Sequence, residues 1–355
     1  VFRSRSAGGV TRAIWPWARV LGGIGILALL VWRVGTSAFV DGLRVIHGPV
    51  LAVTFAIGVL TTVFSAWRWC LVARGLGMKL RLRDAIADYY RALFLNAALP
   101  GGILGDVHRA VRHGRNSGDL GRGVKAVALE RSAGQLVLVV VGVIVLVGSP
   151  YRIVPRAQVG VIAAIVALAV AVTGLTVGIL ARRRASRWAQ VVRGLGTDVR
   201  RGLLGRNSWA GVLLASVLVL TGHILTFVVA AHAAGSTVPF LQLVPLMVLA
   251  LLAMTVPVNI AGWGPREGVT AWAFGAAGLS AANGVTIAVV YGLFAFAASL
   301  PGAAVLIARG IARVRAARAR VDHRTSTTGA SPAGKSIGLP VSRPAEWPMP
   351  RPAIS

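Results

Sequence analysis

The chain has 355 residues, of which 56% are hydrophobic, and carries a formal net charge of +28 with a mean hydropathy of +0.74. That composition excludes an ordinary soluble domain, and a single cysteine, Cys70, excludes a disulfide framework. The charge is not a nucleic-acid footprint, because no soluble module with interleaved aromatics carries it.

Taken in order, the apolar runs predict full membrane spans near 18–36, 50–70, 124–147, 158–181, 209–234 and 283–308. Each approaches or exceeds the roughly 20 apolar residues a bilayer crossing requires. The first run is long and Thr36-Ser37-Ala38 is a poor cleavage site, so a retained span is expected there, not a leader peptide. Two other apolar stretches, 85–104 and 240–281, are interrupted. The first contains Asn96, then Pro100, Gly101 and Gly102, and is followed by Asp106 and Arg109. The second contains Asn259, Gly262, Gly264 and Pro265, then Arg266 and Glu267. Proline removes a backbone donor and glycine relaxes the helix, so both stop a helix where they stand. Unwound backbone is tolerated in lipid only where it is buried in protein or lines a wet cavity. A matched pair of such breaks points to a transporter's central site.

Basic residues crowd 1–19, 68–91, 109–125 and 182–206 and follow Arg309, whereas 35–49, 149–157 and 235–239 hold only Arg44, Arg152 and Arg156. The positive-inside rule therefore puts both termini in the cytoplasm, with 1–15, 110–122, 185–205 and 315–355 inside and 38–47 and 235–239 outside. Segment 85–104 then enters and leaves from the cytoplasm, and 240–281 from the outside. Spans 50–70 and 209–234 run in opposite senses, as do 124–147 and 283–308, at a shared offset of about 160 residues. The expected fold is an all-α polytopic membrane protein: six full spans plus two broken or re-entrant segments, in an inverted-topology repeat covering about 50–147 and 209–308.

There are only ten acidic residues, and seven fall in predicted loops, interfacial stretches or the tail. The others are Asp106, Glu267 and Glu130, the last beside Arg131 early in span 124–147. A charge at the bilayer centre costs roughly 2.5–3.5 kcal/mol on insertion scales, so such groups pair or face a polar cavity. Gly264 can cap a helix that Pro265 begins, with Glu267 in its first turn. The free donors of such a half-helix suit an anion, and Gly101 and Gly102 could offer donors from the other side. With Arg109 and Arg266 nearby, the implied ligand is an anionic head group such as a phosphate. The alternative for each acid is a plain neutralising or helix-locking ion pair.

The run FLNAALPGGILGDVHR (94–109), then ALERSAGQ (128–135), then PVNIAGWGPREG (257–268) resembles the flippase-like family that includes the transmembrane region of lysylphosphatidylglycerol synthase. The resemblance spans about 50–308 and implies an integral-membrane fold that moves lipids or lipid-linked head groups between leaflets. Its motif positions fall on Asn96, Pro100, Gly101, Gly102, Asp106, Arg109, Glu130, Arg131, Gly262, Gly264, Arg266 and Glu267. No aminoacyl-transferase domain follows the membrane part within these residues, so the synthase activity is not expected, and the lipid is left open.

Gly329-Ala-Ser-Pro-Ala-Gly334-Lys335-Ser336 matches the phosphate-loop pattern, but that loop works only between a buried strand and a helix, and the flanking sequence offers neither. Residues 311–355 read as a disordered, basic, Pro-rich cytoplasmic tail after a membrane domain at 1–310. His223, alone in its span, is expected to make an interhelical hydrogen bond, and Trp67 and Trp69 to anchor a span at the interface. No metal spacing or nucleophile elbow is present. The expectation is a non-enzymatic inner-membrane translocator of an anionic phospholipid or polyprenyl-linked head group. Its two breaks meet near the midplane, where Arg109, Arg266 and glycine amides hold phosphate and Asp106, Glu130 and Glu267 balance the cations. No cofactor and no nucleic-acid partner are expected. The alternatives are a membrane-embedded lipid-modifying transferase and a non-transporting partner of a separate lipid-synthesising enzyme.

Overall fold

The computed structural model describes residues 47–98, 104–151, 196, 198–203, 205, 208–255 and 263–308. All but Ala308, the first residue of the second of the chain's two compact units, belong to the first, Val1–Ile307. The spans expected at 18–36 and 158–181 and the tail at 311–355 lie outside the described residues.

The described residues form helices and no strand. In chain order these are α1 (Gly48–Gly75), α2 (Leu82–Ala98), α3 (Leu104–Asn116), α4 (Leu120–Gly148), α5 (Trp209–Ala233), α6 (Phe240–Ala253), α7 (Pro265–Ala276) and α8 (Ala281–Ser299). Past Leu300, α8 continues as helix to Ala308. Four of them are long and apolar enough to cross a membrane: α1, α4, α5 and α8. They coincide with the expected spans 50–70, 124–147, 209–234 and 283–308. Each of the two broken stretches is a pair of shorter helices, α2 with α3 and α6 with α7. The chain is a multi-pass membrane protein, all-helical among the described residues.

The helix ends follow from local chemistry. Asp119 caps α4 by accepting from the Arg122 amide at 3.0 Å. Gly264 precedes α7 at φ +114°, a conformation open to glycine and rarely to other residues, and Pro265 supplies the first helical residue without a wasted donor. Within α1 the hydroxyls of Thr54, Thr61 and Thr62 donate to the carbonyls four residues back, which lets polar side chains sit in an apolar helix.

The helices starting at 48, 82, 104 and 120 recur in order and relative length at 209, 240, 265 and 281, about 160 residues later. Their packing repeats as well. Helix α1 lies against α5, and the other main contacts come in matched pairs. Thus α1 on α2 answers α5 on α6, α2 on α3 answers α6 on α7, and α3 on α4 answers α7 on α8. Across the halves, α8 on α1 answers α4 on α5, and α8 on α2 answers α4 on α6. Each half also has its own core. Trp69, Tyr89, Ala110 and Val127 centre the first; Phe227, Leu243, Met247, Ile287 and Phe294 centre the second.

The exterior is apolar. Leu60, Leu136, Ile144, Leu213 and Leu214 are exposed, whereas Arg68, Arg109, Glu130, Arg266 and Glu267 are buried. Lipid outside and charge inside is the arrangement that membrane solvation demands. Trp69 departs from its expected place at the interface: it is fully buried, edge-on to His113.

Close approach of α3 to α2 depends on Gly105, where a Cβ would collide with the backbone of Ala92. Gly268, the fourth residue of α7, has open space in the same position. Gly105→Ala is expected to cost about 1–3 kcal/mol through overpacking, and Gly268→Ala to be neutral or mildly stabilising. Thermal unfolding of the detergent-purified variants measures both.

Candidate functional site

Glu130 is the centre of the first half's polar cluster. It is fully buried on α4. Its Oε1 accepts from Arg68 Nη2 at 2.6 Å and Nε at 3.0 Å, and its Oε2 accepts from Arg109 Nη2 at 2.8 Å. The Tyr89 hydroxyl reaches Oε1 at 3.4 Å. One carboxylate thereby ties α1, α2 and α3 to α4.

Asp106, in the first turn of α3, is the second acceptor. Arg109 donates to its Oδ1 at 3.0 Å, and Arg131 and Asn96 donate to its Oδ2 at 2.6 and 3.2 Å. The Asn96 Oδ1 accepts from the Gly105 amide at 2.8 Å, so the last turn of α2 caps the first turn of α3 across the break. Arg109 lies between the rings of Trp69 and Tyr89, 4.5 and 4.4 Å from their centroids. The rings account for the two Arg109 nitrogens, Nε and Nη1, that have no hydrogen-bond acceptor.

The second half solves the same problem with fewer charges. Glu267, fully buried in the first turn of α7, accepts from the Gly264 amide at 2.7 Å and from Arg266 Nε at 2.9 Å and Nη2. Arg266 also faces the rings of Trp263 and Tyr291 at 5.3 and 5.1 Å. The Tyr291 hydroxyl in turn meets His223 Nδ1 at 2.9 Å, the interhelical bond expected of that histidine. Asp106 and Glu267 each sit third in their helices, and Glu130 and Tyr291 each lie ten residues into theirs.

One cavity of about 380 Å³ is walled by both clusters: Arg68, Asn96 and Arg131 from the first, and Trp263, Arg266 and Tyr291 from the second. Its remaining polar lining is hydroxyl and amide, including Thr61, Thr62, Ser65, Gln135, Ser216 and Thr226, with the imidazole of His223. Glycines make room for the cations. A Cβ at Gly134 would strike the Arg68 guanidinium, and one at Gly292 would strike that of Arg266.

A family model described as the lysylphosphatidylglycerol synthase TM region matches residues 17–302. The chain belongs to that family. No curated protein and no solved structure matches the chain. The family places these residues in a membrane protein related to lipid synthesis and lipid movement.

Of the residues singled out in the sequence, Asn96, Asp106, Arg109, Glu130 and Arg131 form one connected cluster, and Gly264, Arg266 and Glu267 form another. Asn96, Arg131 and Arg266 reach the cavity wall, while Asp106, Arg109, Glu130 and Glu267 stand behind it. Pro100, Gly101, Gly102, Asn259 and Gly262 lie outside the described residues. Sequence reasoning passed over Arg68, Tyr89, Gln135, Tyr291, Gly134 and Gly292. The signal for Arg68 was available: Thr54, Gly58, Thr61, Ser65 and Arg68 recur at helical spacing along one face of an apolar span.

Removing one partner of a buried charge pair leaves the other uncompensated. Glu130→Gln, which strands Arg68 and Arg109, is expected to cost about 3–5 kcal/mol, and Tyr89→Phe, at the long end of its contact, far less. Thermal unfolding of the two purified variants in one detergent measures the difference.

Proposed function

We propose that this chain carries an anionic lipid head group, from a phospholipid or a polyprenyl-linked lipid, between membrane leaflets. The observation supporting this most strongly is the single cavity walled by cations from both halves, Arg68 and Arg131 on one side and Arg266 on the other. A merely structural ion pair needs no open volume beside it. The cavity is polar on the inside of a protein whose outer face is apolar, so a head group enters it while the acyl chains stay in lipid. Along α1 it extends from Thr54 to Arg68, about 20 Å at 1.5 Å per residue and thus most of a hydrocarbon core about 30 Å thick.

The two halves are proposed to be inverted repeats, with α2–α3 and α6–α7 as re-entrant segments entering from opposite sides. The matched helix order and packing support this, as does the basic character of the loops around α2 and α3 against the uncharged loops around α6 and α7. Rocking of one half against the other exposes the cavity to each leaflet in turn. We also propose placement in the plasma membrane with both termini cytoplasmic; the same charge asymmetry supports that orientation. The transferase alternative draws no support from the cavity, whose described lining contains no carboxylate to act as a base.

Orientation is testable with cysteines introduced one at a time into a Cys70→Ser background. A cysteine at 118 is expected to resist an impermeant thiol reagent in intact cells, and one at 236 to react. The reverse pattern overturns the orientation.

Function is tested by leaflet exchange of fluorescent anionic lipids in proteoliposomes. Arg131→Ala, and Arg266→Gln combined with Glu267→Gln so that no buried charge is stranded, are each expected to slow exchange by an order of magnitude or more while the protein remains folded. Lysine at either position is expected to restore little, because it offers a point charge where the guanidinium offers a planar fork. Wild-type rates equal to those of protein-free vesicles would instead favour a non-transporting partner of a lipid-synthesising enzyme.

A further inference from the structure

Among the described residues, the charges of the two clusters at the cavity do not cancel. Arg68, Arg109, Arg131 and Arg266 are set against Glu130, Asp106 and Glu267, which leaves one positive charge in excess. The breaks flanking the site, 99–103 and 256–262, contain no ionisable side chain that could change this count.

The excess sits at Arg131. Arg68 shares Glu130 with Arg109, and Arg266 has Glu267 to itself. Among the described residues Arg131 has only Asp106, which it shares with Arg109. It is also the arginine of this set with an open face: its side chain is 40% exposed, whereas those of Arg68, Arg109 and Arg266 are at most 5% exposed. Its Nε is buried without a hydrogen-bond partner among the described residues. That nitrogen is sealed from the cavity, but the exposed remainder of the guanidinium, on the wall of a 380 Å³ cavity and sharing its one acid with Arg109, has donors to offer an anion.

The neutral lining specifies the rest of the ligand. Thr54, Thr61, Thr62, Ser216 and Thr226 spend their hydroxyl hydrogens on carbonyls of the preceding turn, at 2.7–2.9 Å. The threonines turn acceptor oxygen to the cavity, while the Ser216 oxygen already accepts from Arg68 Nη1 at 3.2 Å. Acceptors without a carboxylate suit the hydroxyls of a polyol or sugar, and give an ammonium no counter-charge.

We infer that the substrate is a lipid whose head group bears a single negative charge, a phosphodiester carrying an uncharged polyol or sugar, with its phosphate on Arg131. This rests on the translocation reading above and narrows it. A monoanion brings the enclosed charge to zero. A phosphomonoester or diphosphate overshoots it, and an amine-bearing head group leaves the excess uncompensated.

The test uses the full chain in phosphatidylcholine vesicles at pH 8, with fluorescent acyl-labelled phosphatidylglycerol, phosphatidic acid and phosphatidylethanolamine as probes. Phosphatidylglycerol is expected to exchange at least tenfold faster than either of the others. Gln135→Glu places a carboxylate on the cavity wall with little change in size, and is expected to slow phosphatidylglycerol at least tenfold while accelerating phosphatidylethanolamine. A variant that unfolds is replaced by Asp106→Asn, which raises the excess and is expected to shift preference toward phosphatidic acid. Equal exchange of the three probes, or faster phosphatidic acid or phosphatidylethanolamine in the wild type, overturns the inference and leaves translocation standing. Exchange of all three at the protein-free rate overturns both.

Discussion

A carboxylate buried among four helices is the constraint from which the first half of this protein is built. Glu130 has no water to solvate it, so its two oxygens must be saturated by protein. Arg68 comes from α1 and Arg109 from α3, and Tyr89 on α2 closes the remaining side. The arginines are themselves too costly to leave unpaired in an apolar interior. Arg109 therefore takes Asp106 as a second acceptor and the faces of Trp69 and Tyr89 as a third surface. Through Asp106 the requirement passes to Arg131 and Asn96, and through Asn96 to the helix break. The geometry of the cavity wall is thus a consequence of satisfying one buried acid.

The second half keeps the scaffold and changes the currency of its interactions. Where the first half has Glu130, the second has Tyr291, an aromatic that attracts Arg266 with its ring face and carries no charge. Only one acid, Glu267, is then needed, and it does two tasks by neutralising Arg266 and capping the start of α7. The asymmetry matters because it is the first half that leaves a guanidinium incompletely matched. Matched helix packing with different electrostatics leaves one positive charge in excess in the first half's cluster and balances the charges of the second.

Much of the fold was legible in the sequence, for reasons that differ by element. Spans α1, α4, α5 and α8 are long apolar runs that only a membrane accommodates, and the breaks carry proline and glycine where a helix cannot continue. Asp106, Glu130 and Glu267 stood out because acids are scarce in such a chain. Their partners did not, since Arg68 reads as an interfacial arginine between two tryptophans until the folded α1 turns it toward α4. Arg109 could be placed near the site but not behind Glu130, because pairing across 21 residues is decided by helix packing and not by spacing. Tyr291 and the clearance glycines Gly134 and Gly292 carry no local signature. Their roles exist only relative to an arginine on another helix.

The central claim is that a lipid head group occupies the space between Arg131 and Arg266. The most direct measurement is photocrosslinking of the reconstituted protein with a phosphodiester lipid carrying a diazirine on its head group, followed by peptide mapping of the adducts. The account predicts adducts on cavity residues such as Thr61, Gln135, Ser216 and Tyr291, which lie on different helices and share only this lining. Adducts confined to the outer residues Leu60, Leu136, Ile144 and Leu214, with none on the cavity wall, would contradict it.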